Sequence, residues 1–222
     1  MELTEDAFRA LARSSPWRWS TLHFFRRGGE EATVEAWVRR PGWLRVVAAD
    51  GSEQVVTGLP YARSFVSTDP DFVAPVTRPP QDVAPALRDD GLVEVRPDEW
   101  AIDYDDPMYE NFRWVAMLDP VELSDGVRLW GLREDELFGR PVWRSMMVAV
   151  DGYEPRCGCC PLLWGEISER DEAEAGGPVW GPGTAYPEAY DVALDVATGV
   201  VVSLRPVGGE RAQDWFEVEI ID

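Results

Sequence analysis

Apolar and polar residues alternate with period two along much of this chain, and that period marks strands with one buried face. Residues 33–39, Thr-Val-Glu-Ala-Trp-Val-Arg, alternate most cleanly. Aromatic and β-branched runs at 17–25, 43–47, 54–56 and 61–66 extend the pattern. Between them stand Gly28-Gly29, Pro41-Gly42 and Asp50-Gly51, dipeptides that suit tight reversals. Turns this closely spaced predict consecutive antiparallel neighbours over 17–56, with no room for βαβ crossovers. Later strand signals cover 92–95, a hairpin of 127–138 with 142–150 about Gly139-Arg140-Pro141, and three closing strands at 190–195, 200–205 and 215–221.

Helical spacing is rarer. Thr4 reads as an N-cap, with Glu5 and Asp6 favourable in the first turn and Leu3 and Phe8 at staple spacing. Phe8 and Leu11 form a stripe, and Pro16 stands beyond the expected end, so a helix is predicted over 5–13. A second is predicted over 108–118, ended by Asp119-Pro120, and the acidic run 166–174 reads as a short exposed one. Residues 67–85, rich in proline and aspartate, read as a loop, and 151–187 as an irregular insertion in one domain spanning 1–222. The class is therefore α+β: a mostly antiparallel meander with a few helices.

Composition narrows the function. With 45% apolar residues and 11 tryptophans, the chain has the means to build a sizeable core. Its 41 acidic residues against 21 basic ones, all arginine, give a net charge of −20. Such a surface repels phosphate backbones and anionic headgroups, which disfavours nucleic acid and membrane-surface partners. No apolar run approaches the roughly 18 residues of a membrane span. The acidic start, Met1 to Asp6, lacks the basic and apolar regions of an export signal. The expectation is a cytoplasmic protein with reduced thiols.

Candidate chemistry concentrates in Cys157-Gly158-Cys159-Cys160, which holds all three cysteines. Cys157 and Cys160 have the C-x-x-C spacing of redox pairs, and thiolates also ligate soft metals. Against both stands a structural turn with packed thiols, and adjacent Cys159 and Cys160 crowd one another as ligands. His23, the sole histidine, lies on a strand face with Thr21 and Phe25 and reads as buried and hydrogen-bonded. The acidic stretch 103–110 fails the calcium-loop template, because Met108 stands where glycine is needed. Trp19, Trp37 and Trp43 fall on successive strands, where they either line a cavity or fill a wide core.

Three stretches together resemble a family: Asp6 to Ser15, then Ala36-Trp37-Val38-Arg39-Arg40-Pro41, then Ser52 to Val56. They are similar to the start of the LolA-like lipoprotein carriers and the related RseB-like regulators. The closing hairpin, Tyr190 to Asp195 and Thr198 to Arg205, resembles theirs too. The resemblance implies an unclosed, half-barrel antiparallel sheet with helices over its concave face, a cavity for acyl chains or a peptide partner, and an arginine before the proline, here Arg40, that contacts those helices. The expectation that follows is a non-enzymatic, cofactor-free binding protein. It would hold an apolar small molecule or a partner segment among Trp19, Trp37, Arg40 and Trp43. A thiol redox or metal protein acting through Cys157, Cys159 and Cys160 is the alternative.

Overall fold

A computed structural model of the chain describes residues 2–29, 31–58, 78–97, 106–174, 176–177 and 183–222. The strand expected at 61–66 lies outside them, as does most of the 67–85 loop. Helix α1, Glu5–Arg18, opens the chain and is followed by β1 (Thr21–Gly28), β2 (Glu31–Arg39), β3 (Trp43–Ala48) and β4 (Glu53–Thr57). A small hairpin, β5 (Ala86–Leu87) and β6 (Val93–Val95), precedes α2 (Phe112–Leu118). Next come β7 (Val127–Leu137), β8 (Arg140–Ala149), α3 (Glu166–Glu174), β9 (Ala189–Asp195), β10 (Val201–Val207) and β11 (Phe216–Ile220).

Nine strands make one antiparallel sheet in the order β4-β3-β2-β1-β11-β10-β9-β8-β7. The N-terminal meander forms as the turn spacing predicts, with Phe24 opposite Ala36 and Ala36 opposite Val46. It meets the C-terminal meander along β1 and β11, where Phe24 faces Ile220 and Arg27 faces Glu217. Among the described residues the sheet ends at β4 and β7, which do not pair with one another, so the fold is an unclosed half-barrel.

One face of this sheet carries the helices. Leu22, Phe24, Val34, Ala36, Val38, Leu44 and Val46 turn their side chains to it and are buried. Phe8 and Leu11 of α1 and Met117 and Leu118 of α2 join them in one core with no exposed surface. Burial of side chains this size is worth about 1.5–3 kcal/mol each. At the opposite end of the sheet, Gly199 sits in the β9–β10 turn with φ 75°, and a Cβ there would stand 2.8 Å from the Leu11 carbonyl. The turn thus lies directly on α1.

Helices α1 and α2 differ from their predicted bounds for local reasons. The Thr4 side chain caps α1 by accepting from the Ala7 amide at 3.0 Å. At the other end α1 runs through Pro16 to Arg18. A proline removes one ladder donor, but distant groups bond the last-turn carbonyls. Arg40 donates to the Ser15 carbonyl at 2.9 Å and Gln81 to that of Pro16 at 3.2 Å. The first strand consequently begins at Thr21 rather than 17. Helix α2 begins only at Phe112, because Glu110 has φ 62° and Asn111 caps the helix by accepting from the Arg113 amide.

Candidate functional site

Arg40 follows β2 directly and points into the helix-covered face, with 5% of its surface exposed. Its neighbour Arg39 turns the other way, over the Trp43 ring, as adjacent residues of an extended chain do. The Arg40 guanidinium donates to both Asp106 carboxylate oxygens, at 2.8 and 2.6 Å. It also donates to the Ser15 carbonyl and lies 3.3 Å from the Trp19 ring centroid. Trp19 in turn donates to the Ser15 hydroxyl at 3.0 Å. Arg40 therefore clamps the end of α1 and the segment before α2 onto the sheet.

Of the four residues expected to line a ligand cavity, Trp19 and Arg40 share this face, but both are fully engaged in the core. Trp37 and Trp43 lie on the opposite face. Trp37 stacks on His23 at 4.7 Å, with Arg45 over it at 4.7 Å. The reason is register: Ala36 and Val38 occupy the inward positions of β2, so Trp37 must turn outward. His23 is likewise on the outer face, half-buried, with Glu35 2.9 Å from its Nε2. The four residues thus form no common pocket.

Open space lies at the rim. A cleft of about 410 Å³ is lined by Ser14, Trp17 and Arg18 of α1, by Pro85, Leu87, Gly91 and Val93 of the β5–β6 hairpin, and by Ala197. Trp17 is fixed there by donating to the Pro80 and Val83 carbonyls at 2.8 and 2.9 Å. The hairpin is tied to α1 on one side, since Arg13 donates to the Val93 carbonyl and the Val93 amide donates to Ser14. Leu87 is 59% exposed beside the cleft. A second cleft, about 330 Å³, opens on the outer face between Phe25, Arg27, Thr33, Phe138, Glu217 and Glu219.

The cysteine segment is built around a buried carboxylate. Glu122, 5% exposed, accepts from the Tyr153 hydroxyl at 2.6 Å, the Arg156 amide at 2.9 Å and the Leu162 amide at 2.8 Å. Burial first, then the Glu122 charge, pushes the Tyr153 phenol well above its ordinary pKa, so it stays a donor. The two ends of the cysteine loop are therefore held by one side chain. Arg156 adds a bond to Asp119 at 2.8 Å. Between those ends, Gly158 presses on α3: a Cβ there would meet Glu172 and the Ser168 carbonyl at 2.9 Å.

This frame brings the three thiols together. The Cys157 and Cys159 sulfurs are 2.9 Å apart, those of Cys159 and Cys160 are 3.7 Å apart, and all three lie within 4.8 Å of one another. Cys159 is exposed and the other two are half-buried. Hydrogen bonds from Cys160 and then Cys159 pull the Cys157 thiol down to about 5, while the same bonds push Cys159 and Cys160 up. Three sulfurs this close are the donor set of a soft-metal site and the spacing of a redox pair, and they equally suit a structural turn.

The structural comparisons fall on the fold. Similar solved structures include one of MucB, at 15% identity and a TM-score of 0.41, which covers 97% of this chain and 56% of that one. Another is the MucA/MucB complex of Pseudomonas aeruginosa, at 15% identity and a TM-score of 0.40, covering 98% and 57%. This chain spans little more than half the length of either. No protein-family profile and no curated protein matches it. The fold itself has the features that the resemblance implies, an unclosed antiparallel sheet with helices over one face.

Sequence reasoning found Arg40 and the cysteines but not their partners. Asp106 sits in an acidic stretch where one carboxylate looks like another. Glu122 is far from the cysteines in sequence, in a 3-10 turn of Val121–Leu123 with no periodic signal. A lone acid between Val121 and Leu123, two residues after Pro120, was the available hint.

Proposed function

We propose that this is a non-enzymatic binding protein that receives a partner protein segment in the cleft between α1 and the β5–β6 hairpin. The observation that carries this reading is the 410 Å³ apolar cleft itself, with Trp17, Pro85, Leu87 and Val93 around it. Its volume falls within the roughly 300–1,000 Å³ of binding pockets. The inner-face residues of β1–β3, where the resemblance would put a ligand, share one core with α1 and α2, which favours a site at the rim. Among the described residues β5 pairs with β6 alone, which suits it to receive an extended chain, the mode in which main-chain bonds supply affinity and side-chain pockets supply selectivity. The net charge of −20 favours an occupant with apolar anchors and basic flanks.

The test places the photo-crosslinking residue benzoylphenylalanine at position 87 and, as a control, at Val55 on the exposed edge strand β4. Both proteins are expressed in the source cells and irradiated. The expected result is a protein adduct specific to position 87, with a crosslinked peptide whose synthetic form binds the purified protein and is lost in Leu87→Asp. Equal adducts from both positions would overturn the reading. A lipid seen by native mass spectrometry and lost in Leu87→Asp would give the cleft to an apolar small molecule instead.

A further inference from the structure

We propose that Cys157, Cys159 and Cys160 form a three-thiolate site for a soft d10 metal ion, and that Cu(I) is the ion it fits. Three sulfurs within 4.8 Å of one another make up the whole donor set: among the described residues no carboxylate or imidazole atom joins the group. Soft thiolates select Cu(I), zinc and iron–sulfur clusters. Structural zinc takes four protein ligands in a closed tetrahedron, and this loop supplies three. An ion satisfied by three sulfurs matches it without a missing ligand.

The loop is built to hold these sulfurs rather than merely to contain them. Glu122 bonds the backbone on both sides of the cysteines, at Arg156 and Leu162. Gly158 seats the middle of the loop on α3, where a side chain has no room. A ligand frame fixed by outer hydrogen bonds is what metal sites require of their surroundings. With metal–sulfur bonds near 2.3 Å, a trigonal set needs sulfurs about 4 Å apart. The 3.7 Å between Cys159 and Cys160 is already close. The 2.9 Å between Cys157 and Cys159 must open by about 1 Å, and Cys159, exposed to solvent, is free to swing outward. That exposure also gives the ion its way in. On binding, the thiols release the protons they still carry, and no electron is transferred.

Fully reduced protein is titrated under anaerobic conditions with Cu(I) held by the chelator bicinchoninate, and separately with Zn(II) in the presence of a zinc dye. The protein is expected to take one Cu(I) per chain from the chelator, with X-ray absorption showing three sulfurs at about 2.3 Å. Each of Cys157→Ser, Cys159→Ser and Cys160→Ser should weaken binding more than about tenfold while retaining the parent's melting temperature. Any single serine variant that binds Cu(I) as tightly as the parent would overturn the three-thiolate assignment. Tight zinc that Cu(I) does not displace would overturn the choice of ion. Oxidation of the thiols to a Cys157–Cys160 disulfide with no metal retained would make the cluster a redox pair instead.

Discussion

The Arg40 guanidinium is shut off from bulk solvent. Its side chain is fully enclosed, and Asp106 beside it is 1% exposed. In such a place the pair is held less by Coulomb attraction than by the cost of leaving one member behind. Arg40→Ala would strand Asp106 and free the Ser15 carbonyl, and Asp106→Ala would strand the guanidinium. Each is expected to cost about 3–5 kcal/mol by urea denaturation. The combination Arg40→Met with Asp106→Leu should cost less than the two alanine variants added, by about 1–3 kcal/mol. Strictly additive costs would show that the two side chains act independently. Trp19 adds a ring beneath the same cation, so its Phe variant should weaken the clamp without removing a charge partner.

Asp119 does for the elements what Arg40 does for single residues. It ends α2 and receives Arg96 at two contacts of 3.0 Å and Arg156 at 2.8 Å. It therefore ties the segment after β6 and the cysteine loop to one helix end. Burial alone would raise its pKa, but Arg96, Arg156 and Arg40 outweigh that and hold the carboxyl below its ordinary range. A depressed folded pKa contributes stability that is complete above the unfolded value, about 3.9, and is lost as pH falls below it. The protein is thus expected to lose stability as the pH drops from about 4 towards 2, and Asp119→Asn should be less stable at neutral pH with a flatter acid limb. Parallel acid limbs in urea melts at each pH would remove Asp119 from this role. The elements themselves were largely legible in the sequence, because period-two runs and glycine turns report strands directly. What was not legible came from tertiary contacts. The extra turn of α1 depends on Arg40 and Gln81, both distant in sequence. Strand β6 was signalled at 92–95, but its partner β5, two residues long, is too short to show a period. The outward turn of Trp37 follows from which neighbours fill the core, and aromatic content alone does not carry that information. The cysteine cluster was visible as a motif, but the carboxylate that shapes it was not.

At the scale of the molecule, two antiparallel meanders, β1–β4 and β7–β11, meet along a single pair of strands, β1 and β11. A joint of that kind would let the halves melt separately if nothing else crossed it. Helix α1 does cross it. Its Phe8 and Leu11 pack in the same core as Leu22 and Leu44 on one side and Val201 and Leu204 on the other. Arg9 donates to the Ser124 and Val127 carbonyls, and Arg18 to those of Val196 and Ala197. Neither meander can keep its inner face covered once α1 leaves. The expectation is one cooperative unfolding transition, with calorimetric and van't Hoff enthalpies equal. It should be measured near 0.1 M salt, where self-repulsion among the charges that sum to −20 is screened beyond about 10 Å. Val218→Pro tests the joint, since Val218 lies opposite Arg26 in the β1–β11 ladder and is 1% exposed. Proline there removes a backbone donor from a central strand. It should lower the melting temperature of the whole chain in one step, with hydrogen exchange accelerating in β2 and β3 as well as in β10. Two resolved transitions, or exchange that rises only in β9–β11, would mean that the meanders are separate folding units and that α1 belongs to just one of them.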